Sequence, residues 1–151
     1  MIHTDPETGF TETYRGIVLP AHCDQLGHMN VQHYVARIAD AAFMLMSFCG
    51  LSGPELAEKR LAWVAVRQEL DYLAELTADD AIIVRSAIGH AGRTSLTMKH
   101  EMINAETGEP CLSAHVVLVN MSLDTRRPVP LDDETRTAIA PFMLKPAEQA
   151  I

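Results

Sequence analysis

The chain has 151 residues, 48% of them hydrophobic, which is enough for one domain with its own core. Twelve Lys and Arg against 20 Asp and Glu give a formal net charge of −8, which argues against a surface for nucleic acid or for anionic membranes. Three cysteines without paired metal spacing are typical of a reducing cytoplasm. No run reaches the roughly 20 apolar residues of a membrane span, so we expect a soluble cytoplasmic protein.

The first third of the chain predicts a strand and one long helix. Residues 1–12 are polar and are expected to form a loose arm. A short strand, Tyr14–Leu19, follows. Apolar residues then recur at i, i+3 and i+4 over Val31–Cys49, so this stretch is predicted to be a helix, with Asn30 as its N-cap and Gly50 as its stop. Its second half is apolar nearly all round, which indicates a helix buried in the core.

The middle of the chain changes to the period of two that is typical of strands. We predict four strands in antiparallel succession: Trp63–Tyr72, Ala81–Ile88, Thr94–Ile103 and Cys111–Met121. In the first of these, alternation assigns Val64, Val66, Leu70 and Tyr72 to one face. The apolar run Val116–Val119 in the last indicates a strand that is central or covered on both faces.

Shorter elements connect these strands. The spacing Ser52-x-x-Glu55 is that of a capping box, which predicts a short helix ending near Arg60. Residues 89–92 are interpreted as a bend and residues 104–108 as a hairpin loop. After a turn-rich exit, Asp132 opens a short helix that precedes a frayed tail.

Together these elements predict an α+β fold in which a curved antiparallel sheet wraps around one long central helix. One domain accounts for residues 1–151. Its C-terminal part, residues 124–151, consists of the turn, the short helix and the tail.

The segment Ala21–Asn30 carries the strongest functional signal. Asp24 lies just before the buried helix, whose first N–H groups are unpaired and partly positive and can stabilise an oxyanion. A carboxylate in this position can attack an acyl carbon or activate a water molecule. Gly27 allows close backbone approach, and His28 and Asn30 alternate toward the same space. The alternative is an ordinary Asx turn at Asp24.

Other polar residues are weaker candidates. Asp40 is a second possible catalytic carboxylate, but its spacing favours an ion pair with Arg37. The spacing of His22, His28 and His33 matches no common metal pattern, so hydrogen bonding is the expected role.

Arginines at two turns could meet a phosphate. The bend Gly92-Arg93-Thr94-Ser95 places one arginine between strands, and Arg126-Arg127 is a second candidate. The alternative for each is an ordinary solvated side chain.

The loop before the helix resembles that of the hot-dog-fold thioesterases of the 4-hydroxybenzoyl-CoA thioesterase type. In the bacterial enzymes of this family the catalytic Asp lies in Cys-Asp-Pro-x-Gly, which residues 23–27 match without the Pro. In the related plant acyl-carrier-protein thioesterases the loop reads Asp-x-Asn-x-His-x-Asn. Asp24, His28 and Asn30 match that pattern, Leu26 replaces its first Asn, and Tyr34 follows ten positions after Asp24. The resemblance covers about residues 13–123 and is strongest over residues 22–46.

This resemblance implies a hot-dog fold and hydrolysis of an acyl-CoA thioester. Asp24 would be the nucleophile or general base, helix N–H groups would form the oxyanion hole, and His28 and Asn30 would orient water or substrate. It implies a homodimer or homotetramer with an acyl tunnel at the subunit interface, and it requires no metal or cofactor. Candidate substrate-binding residues are Gly27, His33, Tyr34, Gly92, Arg93, Thr94 and Ser95, and pocket-lining candidates are Tyr34, Phe43, Met44 and Trp63.

Two other functions stay open. One is a hot-dog dehydratase or hydratase, whose loop has Asp and His one residue further apart, usually with Asn-Pro between them. Asp24 and His28 are four apart with no Pro between them. The other is a non-catalytic acyl-CoA-binding domain, because a fold does not determine a function.

Overall fold

The computed structural model describes residues 1–149, which form one five-stranded sheet with helices packed against it. The strands are β1 (Thr11–Ile17), β2 (Leu61–Tyr72), β3 (Ala81–Ala91), β4 (Ser95–Asn104) and β5 (Pro110–Ser122). The α-helices are α1 (Val31–Phe48), α2 (Pro54–Glu58), α3 (Asp133–Ile139) and α4 (Pro146–Gln149), and 3-10 turns cover Pro20–His22 and Ala140–Phe142. The last two residues of the predicted tail lie outside the described part of the chain.

The sheet has the strand order β1-β3-β4-β5-β2, and every neighbouring pair is antiparallel. The long helix α1 packs on one face, where Ile38 and Leu45 join Met98 and Leu112 of the sheet in a single core. This arrangement confirms the predicted α+β fold with one central helix. No helix of residues 1–149 is long and apolar enough to cross a bilayer.

Helix α1 begins and ends where its end signals predict. The Asn30 side chain accepts a hydrogen bond from the Gln32 N–H at the N-terminus. Cys49 is the C-cap, and Gly50 follows with a φ of +70°, a conformation that glycine adopts at no steric cost.

The predicted faces of β2 are wrong because the strand contains a bulge. Its register with β5 shifts between Ala65 and Arg67, and this shift changes which residues point toward the helix. Trp63 and Leu70 pack against the core, whereas Val64 is 38% exposed and Val66 is 57% exposed. The valines therefore do not share a buried face with Leu70.

Two further local predictions fail. The Ser52 side chain does not cap α2; the N-cap is Gly53, at φ 63°, and Pro54 opens the helix. The predicted bend at residues 89–92 is also too long, because β3 continues to Ala91 and only residues 92–94 make the turn. The bulge near Gly89 keeps the strand paired with β4.

Both termini are more ordered than a loose arm and a frayed tail. Phe10 is 3% exposed and packs with Ala87 of β3 and Leu144 of the C-terminal segment. The Thr4 and Thr11 hydroxyls share a hydrogen bond of 2.8 Å. The arm and the tail thus cover part of the sheet face that is opposite α1.

Strand β5 lies second from the edge, between β4 and β2. Its residues alternate: Val116 and Leu118 are buried, whereas Val117 and Val119 are only half-buried. The apolar run therefore marks an interior strand, paired on both sides, and not a strand that is buried on both faces. Strand β2, which follows β5 in the strand order, is an edge strand of the single chain.

Candidate active site

The loop between β1 and α1 folds as a small closed hairpin that presents Asp24. The Asp24 N–H donates to the His28 carbonyl at 3.2 Å, and the Gly27 N–H donates to the Asp24 carbonyl at 3.0 Å. Gly27 has a φ of +83°, and a Cβ placed on it would meet no atom within 4 Å. Glycine is therefore required by the turn, and the space above the turn is open.

The Asp24 carboxylate is held at both oxygens. Oδ2 accepts a hydrogen bond of 2.8 Å from Asn30 Nδ2, and Oδ1 accepts one of 2.9 Å from the Leu26 N–H. The Asn30 amide, followed by the Leu26 N–H, lowers the pKa of Asp24 below its ordinary value of 3.8. The group is half-buried and carries its negative charge at neutral pH.

Asn30 connects this carboxylate to the start of α1. Its side-chain oxygen caps the helix at the Gln32 N–H, while its amide nitrogen donates to Asp24. The Asn30 carbonyl accepts from the His33 N–H. The N–H of Val31 has no acceptor among residues 1–149, so it is free to donate to a bound carbonyl oxygen.

The side chain of His28 does not bind the Asp24 carboxylate as that of Asn30 does. Only the His28 main chain contacts Asp24, and its ring Nε2 lies 3.7 Å from Glu75 Oε1. The ring lines a cavity of about 250 Å³ together with Tyr34 and Tyr72. The side chains of His28 and Asn30, which the sequence directs to one space, therefore have different partners: Glu75 for His28 and Asp24 for Asn30.

His33 and Tyr34 follow in the first turns of α1. The ring of His33 lies 4.7 Å from that of His22, whose pKa is lowered by burial and by His33. Tyr34 is 4% exposed, its hydroxyl donates to the Ala74 carbonyl at 3.3 Å, and burial raises its pKa to about 12. Within residues 1–149, no three His, Cys, Asp or Glu side chains lie close enough together to hold a metal ion.

Asp40 makes the ion pair that its spacing predicts. Its Oδ2 lies 3.4 Å from Arg37 Nε, and its side chain is 57% exposed. Asp40 lies well along α1 from the open space at Gly27, so it serves as a control for Asp24.

A larger cavity, of about 430 Å³, lies between α1, α2 and the sheet. Its wall on α1 runs from Ile38 to Met46 and includes Phe43, and Trp63 of β2 contributes an aromatic side. The cavity thus contains two of the four pocket-lining candidates. Tyr34 lines the smaller cavity, and Met44 is 45% exposed and lines neither.

The turn that contains Arg93 is tight. The Gly92 N–H donates to the Ser95 carbonyl at 2.8 Å, and a Cβ on Gly92 would lie 2.9 Å from Ser95 Oγ. Arg93 is exposed, and the guanidinium of Arg136 in α3 donates to the Gly92 carbonyl at 3.0 Å. Sequence reasoning missed Arg136; the only signal was a basic residue in the last turn of a predicted short helix.

One chain does not bring the two halves of the predicted site together. Ile17, at the end of β1 next to the Asp24 loop, pairs with Ala81 at the start of β3. The Arg93 turn follows Ala91 at the other end of that strand. The strand has eleven residues, so its two ends lie about 35 Å apart at the rise of an extended strand.

The sequence matches the model of the thioesterase-like superfamily over residues 18–139. The chain is 31% identical over 91 residues to a chloroplastic palmitoyl-acyl carrier protein thioesterase from Gossypium hirsutum. That alignment covers 60% of this chain and 22% of the relative, so the chain spans about a fifth of that relative's length.

Solved structures show the same fold. A 1,4-dihydroxy-2-naphthoyl-CoA thioesterase from Synechocystis superposes with a TM-score of 0.74 at 23% identity, covering 83% of this chain and 93% of the other. A Staphylococcus aureus protein solved in complex with CoA gives a TM-score of 0.79 at 20% identity, covering 89% and 83%. The fold is the hot-dog fold, and the chain belongs to the thioesterase-like superfamily.

Proposed function

We propose that this protein hydrolyses acyl-CoA thioesters to a free acid and CoA, with Asp24 as the reacting carboxylate. The observation that carries the proposal is the geometry at Asp24. An ionised carboxylate is fixed by Asn30 beside a helix start, next to space that Gly27 leaves open. A thioester carbonyl placed there can receive a hydrogen bond from the Val31 N–H as its oxygen becomes negative.

Two routes use the same charge. In the first, an Asp24 oxygen attacks the thioester carbon, the C–S bond breaks, the CoA thiolate leaves and takes a proton, and water hydrolyses the resulting anhydride. In the second, Asp24 takes a proton from a water molecule that attacks the carbon, and the same bond breaks. Because Asn30 and the Leu26 N–H hold the carboxylate in place, either route starts from one fixed position.

The carrier of the acyl group is proposed to be CoA. The Staphylococcus aureus structure contains CoA, and the Synechocystis protein is named as a CoA thioesterase. The Gossypium hirsutum relative, in contrast, is named as an acyl carrier protein thioesterase. Arg93 and Arg136 at the turn of residues 92–94 supply charge suited to the CoA phosphates. Cys23, Cys49 and Cys111 are free thiols, which supports a reducing, cytoplasmic setting.

The active form is proposed to be a homodimer formed through β2. A homotetramer would require other surfaces for the contact between two such dimers. This edge strand is long and carries exposed Val64 and Val66, which favours pairing with a second copy. A two-fold axis makes such pairing antiparallel, so the Trp63 end of one strand lies beside the Tyr72 end of the other. Tyr72 lies beside His28 and the Asp24 loop. The loop of one copy thereby faces the large cavity and the Arg93 end of its partner.

A dehydratase or hydratase is the less favoured function. That reaction needs a carboxylic acid and a histidine acting on one substrate carbon chain, but the His28 ring contacts Glu75 rather than Asp24. A non-catalytic acyl-CoA-binding domain differs from a thioesterase in one measurable respect, which is that it releases no thiol.

The test is thiol release from a panel of acyl-CoAs by the wild-type protein and by Asp24→Asn. The substitution removes the charge, so kcat should fall at least about 10²-fold while KM moves little. Asp40→Asn is the matched control, and we expect its kcat to stay within about threefold because its side chain is exposed and pairs only with Arg37. A folded Asp24→Asn variant that keeps more than a tenth of the wild-type kcat would refute the assignment.

A further inference from the structure

The large cavity has a chemistry that selects among acyl groups. Its walls are built mainly from small and aliphatic residues, among them Ala42 on α1, Ala57 on α2, and Ala65 and Leu118 on the sheet. The polar side chains in the wall are few. Gln68 is exposed at the mouth, and Ser52 is half-buried.

Trp63 of the cavity wall has one polar side-chain atom, Nε1, which can only donate a hydrogen bond. Trp63 Nε1 is buried and has no hydrogen-bond partner in residues 1–149. An indole N–H cannot accept a hydrogen bond from a hydroxyl group. A hydroxylated aromatic acyl group whose O–H faced Trp63 would therefore find no acceptor on that side chain, which is unfavourable in an apolar site.

The volume fits an aliphatic chain of medium length. A water molecule takes roughly 30 Å³ in the liquid, and a methylene group is of similar size. A cavity of about 430 Å³ therefore has room for about fourteen such groups. The wall on α1 extends from Ile38 to Met46, about 12 Å along the helix, so the space is elongated.

We propose that this cavity binds the acyl chain of the substrate and that the chain is linear, aliphatic and about eight to fourteen carbons long. The proposal rests on the function proposed above, because the thioester must reach Asp24. In the β2-paired dimer the cavity of one copy opens toward the Asp24 loop of the other. The acyl chain is thus bound by one subunit while the carboxylate comes from its partner.

The first test is the dependence of kcat/KM on chain length over saturated acyl-CoAs from butanoyl to hexadecanoyl. Each methylene buried contributes about 0.8 kcal/mol, so kcat/KM should rise by up to about fourfold per carbon. The rise should stop when the cavity is full, at about fourteen carbons. Benzoyl-CoA and 4-hydroxybenzoyl-CoA should stay at or below the butanoyl value. A flat profile, or an aromatic substrate preferred over decanoyl-CoA, would overturn the proposal.

Two substitutions fill the cavity from different walls. Ala42→Phe acts from α1, and Ala57→Phe acts from α2, where residue 57 is exposed, so a larger side chain there does not have to fit into the core. Each should lower the ratio of kcat/KM for dodecanoyl-CoA to that for butanoyl-CoA at least tenfold. Ala140→Phe makes the same change on an exposed turn that does not line the cavity, and the ratio should stay as in the wild type. Unchanged ratios in both filled variants would contradict the proposal.

A binding measurement separates this inference from the proposed function. Trp63 is the only tryptophan of the chain, so intrinsic fluorescence reports on the cavity. S-decyl-CoA, a thioether that cannot be hydrolysed, should change the emission and bind at least tenfold more tightly than S-butyl-CoA. Binding without hydrolysis of any acyl-CoA would reject the thioesterase and keep the cavity assignment. Hydrolysis without a chain-length effect on binding or turnover would keep the thioesterase and reject the cavity assignment.

Discussion

His100 is fully buried and belongs to a chain of buried polar side chains. Its Nδ1 lies 2.6 Å from Ser86 Oγ, which lies 2.7 Å from Thr13 Oγ1, and Thr13 donates to the Val84 carbonyl. Burial, assisted by His115, lowers the pKa of His100 to about 3. Its Nε2 has no partner in the described chain, so a proton added there would be both buried and unpaired.

We predict that this residue makes the protein sensitive to acid. Unfolded His100 titrates near 6.5 and folded His100 near 3, so between these values the unfolded chain binds the extra proton. The free energy of unfolding should therefore fall by up to about 1.4 kcal/mol per pH unit as the pH drops below 6.5. Urea unfolding at several pH values measures the slope, and His100→Gln should flatten it in this window.

The matched control for that measurement is His90→Gln, which removes an exposed histidine from the neighbouring strand. Its pH profile should follow that of the wild type. An identical acid slope in wild type and His100→Gln would show that other groups control acid stability. The comparison uses slopes rather than absolute stabilities, because any change at a buried site alters the packing as well.

Prediction of residue contacts from the sequence succeeded where the contacts are local. Asp24, Gly27 and Asn30 fall within one short loop, so their mutual contacts follow from a helix cap and a tight turn. It failed where the partner is distant in the chain. The contact of His28 with Glu75 and the network around His100 depend on how the strands pair, which no local pattern encodes.

At the scale of elements, helix α1 was predictable to within a residue or two because its periodicity and both end signals agree. Strand β2 was placed correctly, but its faces were not. A bulge adds one residue to one strand only, so the alternation before Ala65 and after Arg67 belongs to different faces. The apolar residues Val64 and Val66 then mark an exposed edge instead of a core.

The turn of residues 92–94 and helix α3 are joined by one hydrogen bond. Arg136 of α3 holds the Gly92 carbonyl, which places its guanidinium beside exposed Arg93. We predict that Arg93→Ala raises KM for acyl-CoAs by about three- to thirtyfold with kcat nearly unchanged. The reason is that a partly solvated contact to a phosphate is worth about 1–2 kcal/mol.

Steady-state kinetics on decanoyl-CoA and on the matching acyl-pantetheine, which lacks the nucleotide phosphates, measures this effect. Arg93→Ala should change KM for the first substrate and not for the second. Arg15→Ala, which removes an exposed arginine that pairs with Glu12 on β1, is the control and should change neither. A normal KM for every acyl-CoA tested would move the phosphate contact to Arg126, Arg127 or to no arginine.

The whole molecule carries a net charge of −8, so Arg93 and Arg136 form a basic region on an acidic protein. An acidic surface repels an anionic substrate, so binding must depend on a local basic region. That region lies about 35 Å from the end of the sheet that carries Asp24. A single chain thus separates the proposed phosphate contacts from the carboxylate that is proposed to react. In the proposed antiparallel dimer through β2, the Asp24 loop of each copy would lie near the Arg93 turn of the other.

This arrangement predicts complementation between two defective subunits. Asp24→Asn carries an intact Arg93 turn, and an Arg93→Ala, Arg136→Ala double variant carries an intact Asp24 loop. In a heterodimer with a shared site, one of the two sites receives both wild-type parts, so kcat/KM should recover to about half of the wild-type value. If each chain supplied its own complete site, every site would carry a defect, and the heterodimer would only average the two weak homodimers. Heterodimers purified through two different affinity tags provide the measurement, with sedimentation to verify that they are dimers. Recovery to half-activity requires that the carboxylate of one subunit act on a substrate whose CoA is held by the other.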